Sequence, residues 1–266
     1  MAKPAELWAR GGAYEPYVGR WSRLVAREFL AWLAVGEGAG WLDVGCGTGA
    51  LTQTTLTVAD PAAVLGVDPS AGYVAYARTQ STDRRARFAV ADARRLPVAD
   101  DRMDAVVSGL VLNFVPDPGQ AVREMVRVTR AGGRVAAYVW DYAGRMELIR
   151  CFWDAAAVVD PAAVELDEGR RFGLCRPEPL ARVFQDAGLV EVRTRPIDLA
   201  TRFRDFADYW TPFLGGEGPA PGYAMSLQAE QRTALREELR ARLPVAPDGS
   251  ISLVVRAWAV QGACGR

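Results

Sequence analysis

Three glycines at alternate positions, Gly45, Gly47 and Gly49, follow the apolar run Trp41-Leu42-Asp43-Val44 and open a stretch of helical pattern. Chemistry at such a turn comes from the backbone: glycine lets a ligand approach closely, and a helix start offers unpaired N–H groups. The spacing is G-x-G-x-G. That is neither the dinucleotide fingerprint G-x-G-x-x-G nor a phosphate loop, since no Lys-Ser or Lys-Thr pair follows. A plain Gly-rich turn joining strand to helix is the alternative. Two acids stand in the same relation to later apolar runs: Asp68 ends Gly66-Val67-Asp68, and Asp92 follows Val90-Ala91. Asp68, about 20 residues past the glycines, suits the two hydroxyls of a ribose, and Asp92 with the amide of Ala93 suits an adenine edge. Each acid alone is equally explained as a helix cap. Three such features at three successive strand ends are poorly explained by coincidence.

What the chain lacks narrows the chemistry. Its 266 residues include no histidine, which excludes Ser-His-Asp and Cys-His nucleophile systems, histidine bases and His-containing metal sites. Cys46, Cys151, Cys175 and Cys264 form no C-x-x-C pair, so zinc ribbons and dithiol redox motifs are disfavoured and no metal is expected. The 32 basic and 32 acidic residues cancel, half the residues are hydrophobic and 24% are charged. This is ordinary globular composition, without the basic excess that duplex nucleic acid requires. The N-terminus lacks the apolar core of a signal peptide, and no apolar run reaches about 18 residues. The expectation is a soluble cytoplasmic protein with no membrane span, no nucleic-acid partner, and a monomeric or homodimeric state.

Positioning the glycines and acids requires a particular scaffold. Apolar residues at helical spacing predict an amphipathic helix over 17–35, with Trp21, Leu24, Val25, Phe29 and Trp32 on one face. Short apolar runs at 41–44, 63–67, 86–90, 105–107 and 134–140 then alternate with helical patterns from Gly49, from Ser70 and over 117–129. Strand and helix in alternation predict a parallel sheet covered by helices, with ligands at the turns after strands. After Asp141 helical patterns dominate, near 145–159, 177–187, 203–213 and 228–242, broken by the loop Gly215-Gly216-Glu217-Gly218-Pro219-Ala220-Pro221-Gly222. Two further strands are predicted, over 190–197 and 251–260, the second returning antiparallel after Pro247-Asp248-Gly249.

The segment from Tyr14 to Tyr142 resembles the class I S-adenosylmethionine-dependent methyltransferases, in particular the small-molecule branch that includes the ubiquinone and menaquinone biosynthesis type. The likeness rests on Leu42-Asp43-Val44-Gly45-Cys46-Gly47-Thr48-Gly49, Gly66-Val67-Asp68-Pro69-Ser70, Ala91-Asp92-Ala93 with Leu96-Pro97, Met103-Asp104-Ala105-Val106-Val107-Ser108, and Arg130-Ala131-Gly132-Gly133-Arg134-Val135. It implies an α/β, Rossmann-like, seven-stranded, mostly parallel sheet with one antiparallel strand, helices on both faces and a helical lid insertion. It further implies one methyltransferase domain: a helical cap at 1–38, a cofactor core at 39–142, and the rest of the sheet at 143–266 with an acceptor lid at about 203–227.

The resemblance also assigns residues. S-adenosyl-L-methionine would meet Gly45, Cys46 and Gly47 at the glycine loop, Asp43 near its amino group, Asp68 and Pro69 at the ribose, and Asp92 and Ala93 at the adenine. Ser108 and Gly109 would approach its methionine end. Tyr14, Tyr17, Arg20 and Trp21 sit where relatives fold a segment over the cofactor; a surface helix with Trp21 in the core reads them equally well. Aromatic faces and an arginine suit a sulfonium and a carboxylate. Trp140, Tyr209, Trp210, Phe213 and Tyr223 are candidates to bind a small-molecule acceptor, although most aromatics are simply core.

Methyl transfer from a sulfonium is an in-line displacement, in which positioning and water exclusion are the protein's main contributions. If the acceptor loses a proton early, Asp141, Tyr142 or Tyr209 are the candidate bases, Asp141 foremost because it ends the fifth strand; capping the next helix is its other reading. Two further functions remain: a cofactor-binding protein that does not methylate, as scaffold or cyclisation catalyst, and a nicotinamide-dependent reductase. The last lacks the required glycine spacing and any Tyr-x-x-x-Lys pair, Lys3 being the sole lysine.

Overall fold

Trp41, Leu42 and Val44 are almost completely buried, and the strand they form, β1 (Gly40–Val44), lies inside a seven-stranded sheet. The computed structural model describes residues 15–216 and 218–265; Tyr14 and Glu217 lie outside the described residues. The other strands are β2 (Ala63–Asp68), β3 (Ala86–Val90), β4 (Met103–Gly109), β5 (Thr129–Trp140), β6 (Val190–Phe203) and β7 (Ile251–Ala263). Their order is β3-β2-β1-β4-β5-β7-β6. The first five run parallel, and β7 is antiparallel to β5 from Arg134 against Ala263 to Trp140 against Ala257.

The helices are α1 (Arg20–Leu33), α2 (Ala50–Val58), α3 (Ala71–Gln80), α4 (Pro118–Val128), α5 (Glu147–Val159), α6 (Glu168–Arg171), α7 (Pro177–Asp186), α8 (Phe206–Trp210), α9 (Pro219–Ser226) and α10 (Ala229–Arg242). From β1 the order runs outward through β2 to β3 on one side and through β4 to β5 on the other. Right-handed crossovers therefore put α2 and α3 on one face of the sheet and α4 on the opposite face. The order reverses between β1 and β4, and ligands of open α/β sheets bind outside the carboxyl ends at such a reversal. No helix among the described residues is long and apolar enough to cross a membrane.

Local chemistry sets the element ends. Ser70 caps α3 by accepting the Tyr73 amide at 3.3 Å, and Asp117 caps α4 by accepting the Gln120 amide at 2.8 Å with proline at the first helical turn. The first helix differs from the sequence expectation of 17–35: a π-turn over Glu15–Gly19 precedes it and it stops at Leu33. The helix expected at 203–213 is divided. Phe203 still belongs to β6, Asp205 caps the short α8, and a 3-10 turn follows over Thr211–Gly215. The Gly/Pro stretch expected as loop through Gly222 instead enters α9 at Pro219, since proline is preorganised for a helix start. The strands β6 and β7 exceed the expected 190–197 and 251–260.

The chain packs as two units. The larger comprises Ser22–Trp140, Leu174–Ile197 and Ala257–Arg266, and so contains β1 to β5. The smaller comprises Met1–Trp21, Asp141–Gly173 and Asp198–Arg256. These units interleave in sequence. The cause is topological: the sheet is completed by strands that come after the helical segment.

Candidate functional site

In the larger unit, the three glycines all have positive φ, +77° at Gly45, +52° at Gly47 and +89° at Gly49, backbone that L side chains rarely adopt. A Cβ on Gly45 would lie 2.5 Å from a Val111 methyl, whereas Gly47 has no atom within 4 Å of that position. Gly45 is thus demanded by packing, while Gly47 leaves open space. The turn is anchored by the amides of Gly45 and Cys46, which donate to the Val67 carbonyl at 2.7 and 2.9 Å.

Asp68 sits at the end of β2, nearly buried. One carboxylate oxygen accepts the Gly47 amide at 3.0 Å and the other accepts the Ser70 amide at 2.8 Å. Ser70, and not Asp68, caps α3. Burial pushes the Asp68 carboxyl above its ordinary range, against the pull of the Ser70 and Gly47 amides. Asp43 is more deeply buried. Its Oδ2 accepts the Thr52 hydroxyl at 2.7 Å, and its Oδ1 is buried with no partner. Burial, countered by Thr52 and reinforced by Asp68, lifts this carboxyl to about 7. A buried oxygen without a donor is what a ligand ammonium or hydroxyl satisfies.

Apart from Tyr17 and Arg20, the remaining residues of the expected cofactor site lie in the same unit. Asp92 is held by Arg94, accepting its amide at 2.8 Å and its guanidinium at 2.6 Å, and these bonds lower its carboxyl to about 2. Ala93 is buried beside it and Pro69 is exposed. Cys46 packs with Val74, Ala77 and Phe88, and burial pushes its thiol far up, which does not favour a nucleophile. The Ser108 hydroxyl donates to the Val44 carbonyl at 2.8 Å, tying β4 to β1. Gly109 is required by Tyr138, whose hydroxyl would lie 2.6 Å from an added Cβ. Trp140 is buried at the end of β5. An open groove of about 710 Å³ is lined by Val90, Leu96, Pro97, Glu124 and Arg127; it adjoins edge strand β3, and β2 stands between that strand and β1.

The smaller unit gathers Tyr17, Arg20, Asp141, Tyr209, Trp210, Phe213 and Tyr223. The Tyr17 ring meets Phe213 edge-on at 5.2 Å, Phe213 stacks on Phe152 at 4.6 Å and 8°, and Tyr223 packs on Trp153 at 5.4 Å. Arg20 pairs with Asp208 at 3.1 Å and lies over the rings of Trp21 and Phe203. Of the residues expected at the cofactor, Tyr17 packs on and Arg20 is ion-paired to the segment expected at the acceptor. The Tyr209 hydroxyl donates to the Leu148 carbonyl at 2.9 Å, and burial holds it well above the ordinary tyrosine range, which does not suit a base. The Tyr223 hydroxyl donates to Asp160 at 3.2 Å. Asp141 is buried and builds a turn: its carboxylate accepts the Arg145 amide at 2.9 Å, and its carbonyl accepts the Gly144 and Met146 amides.

Sequence reasoning missed Glu168. It is 1% exposed and accepts the Trp153 indole N–H. Burial, opposed by that bond, raises its carboxyl to about 8. The sequence carried no signal for it, since its burial comes from other segments; the chain packs tightly there, and a Cβ on the adjoining Gly169 would lie 2.8 Å from the Tyr142 carbonyl.

Residues 42–137 match a family model described as a methyltransferase domain. A curated relative, a demethylmenaquinone methyltransferase of Roseiflexus sp. (strain RS-1), is 35% identical over 163 residues, which cover 56% of this chain and 66% of that protein, just under two thirds of its length. A putative methyltransferase solved in complex with the Haloferax volcanii Trm112 methyltransferase activator has the same fold, at TM-score 0.61 and 22% identity over the whole of both chains. The [4+2]-cyclase SpnF shares it as well, at TM-score 0.55 and 20% identity over 93% of this chain and 81% of that one.

Proposed function

Since the chain belongs to the class I S-adenosylmethionine-dependent methyltransferases, we propose that it binds S-adenosyl-L-methionine and transfers a methyl group to a small-molecule acceptor. The observation that carries the reading is the pair of carboxylates at the ends of β1 and β2. Asp43 presents a buried oxygen without a donor, which fits the ammonium of the cofactor's methionine. Asp68 braces the Gly47 turn and keeps lone pairs for the ribose hydroxyls. Gly45, Cys46 and Gly47 let the backbone approach the ligand, with Pro69 flanking the ribose and Asp92 and Ala93 at the adenine. Ser108 and Gly109 line the end of β4, where the methionine portion belongs.

When bound, the cofactor supplies an electrophilic methyl on a sulfonium. The chain's own contribution is to hold the acceptor's nucleophile in line with it and to keep water out. Trp210, Phe213 and Tyr223, in the smaller unit, are proposed to favour an apolar or planar acceptor, with the buried Tyr209 packed on Phe213; the demethylmenaquinone methyltransferase relative points the same way. Within the smaller unit, Tyr17 and Arg20 are anchored to Phe213 and Asp208. Asp141 remains the proposed base only for an acceptor that must be deprotonated, and its three turn bonds favour a positioning role. The cytoplasm is the proposed compartment.

The fold by itself does not separate transfer from binding, as its use by a cyclase illustrates. Purified protein incubated with methyl-labelled S-adenosylmethionine and a bacterial small-molecule extract is expected to yield labelled product. Tight cofactor binding with no labelled product would select the non-methylating reading.

A further inference from the structure

At the carboxyl end of β4 the chain makes a tight turn whose conformation is fixed from several sides. Leu110 holds φ at +64°, uncommon for a bulky residue, and its amide donates to the Tyr138 carbonyl at 2.8 Å. Val111 packs its methyls against Gly45. The Phe114 amide donates to the Val111 carbonyl at 2.8 Å, closing a 3-10 turn over Leu112–Phe114. Asn113 stands in the middle of that turn, and both polar atoms of its side chain, Nδ2 and Oδ1, are buried without a hydrogen-bond partner.

A carboxamide offers two donors and an acceptor, and proteins rarely leave such a group buried and unsatisfied. Residues that break this rule cluster where a ligand completes the bonding. β4 lies beside β1, where the strand order reverses, so the orphaned amide is at the edge where open α/β sheets receive ligands. The cofactor's ammonium has a better partner in the free oxygen of Asp43, because a neutral amide is a weak match for an ammonium.

We propose that the Asn113 side-chain amide binds the polar group of the methyl acceptor. That group is neutral and both donates and accepts a hydrogen bond, as a hydroxyl or a carboxamide does. The proposal rests on the transferase reading and adds a specificity-determining residue to it. Asn113 donates through Nδ2 and accepts through Oδ1, so an acceptor lacking either function leaves one amide atom unpaired and is discriminated against.

Two substitutions test this, Asn113→Leu, close to isosteric, and Asn113→Ala. Without ligand, Asn113→Leu is expected to melt at or above the temperature of the parent protein, because an unsatisfied buried amide is replaced by an apolar group of similar shape. Its affinity for S-adenosylhomocysteine, read by calorimetry, is expected to stay within about threefold. Labelled product from methyl-labelled S-adenosylmethionine and a bacterial small-molecule extract is expected to fall about tenfold or more in both variants. A clearly lowered melting temperature for Asn113→Leu would overturn the proposal by showing that the amide has structural partners. So would a tenfold loss of S-adenosylhomocysteine affinity, which would move Asn113 to the cofactor, or undiminished labelled product. If the parent protein bound no S-adenosylhomocysteine or made no product, the transferase reading would fail and this proposal with it, whereas the outcomes above overturn the Asn113 assignment alone.

Discussion

The Asp68 carboxylate accepts the amide of Gly47 at 3.0 Å, so the end of β2 holds the glycine loop that leaves β1. The residue expected to grip the ribose is therefore also part of the loop's own construction. Asp68→Ala is expected to lower S-adenosylhomocysteine affinity about tenfold to a hundredfold, from loss of a charged acceptor. It should also lower the melting temperature of the free protein, because the Gly47 and Ser70 amides lose their partner. Calorimetry and thermal melts read the two effects separately. A lowered melting temperature with full affinity would restrict Asp68 to bracing the turn.

Asp43 predicts how cofactor affinity depends on pH. Its carboxyl is lifted to about 7, chiefly by burial, and only the ionised form complements an ammonium. Below that pH the free protein must release a proton to bind. Affinity for S-adenosylhomocysteine is therefore expected to weaken as pH falls from about 7, approaching tenfold per unit. Calorimetry across pH 5.5 to 8.5, roughly spanning the carboxyl's titration, measures it. Asp43→Asn should abolish the dependence, and a parent profile flat over that range would contradict the assignment.

The scaffold and the strand-end acids were legible in the sequence because they repeat a local rule: an apolar run, then a turn residue, then a helical pattern. Glycine spacing, Ser70 and Asp117 carry their meaning within a few residues. Glu168 and Asn113 were not legible, since what distinguishes them is burial without full pairing, a property of surroundings contributed by other segments. The same reason hid the bonding of Arg20 to Asp208, residues 188 apart in the chain. Helix α9 was missed because Gly and Pro dominate its first turn, and composition alone reads as loop.

Glu168 is expected to make stability pH-dependent. Its folded value of about 8 exceeds the ordinary 4.5, so the folded state binds the proton more tightly than the unfolded state. Its contribution is fully present below about 4.5 and is lost as pH rises through about 8, by an amount on the order of a few kcal/mol. Urea titrations of the parent and Glu168→Gln should therefore diverge across that interval, the variant showing the shallower decline. Identical slopes would mean that Glu168 is ionised in the folded protein.

Arg20 and Asp208 are both partly shielded from solvent, at 29% and 16% side-chain exposure, and the guanidinium also covers Phe203. Arg20→Ala and Asp208→Ala are expected to destabilise non-additively, with a coupling of about 1 kcal/mol in a double-mutant cycle. Additive effects would remove the ion pair from the account of this segment. A loss of S-adenosylhomocysteine affinity in Arg20→Ala but not in Asp208→Ala would show the arginine acting on the cofactor directly.

The glycine loop and the acids at the ends of β1 and β2 are proposed to form a site for S-adenosylmethionine. Calorimetric titration of one protein preparation with S-adenosylmethionine, S-adenosylhomocysteine and NADH decides it. Saturable binding of the first two, with no measurable heat from NADH, is the expected result; selective binding of NADH would contradict it.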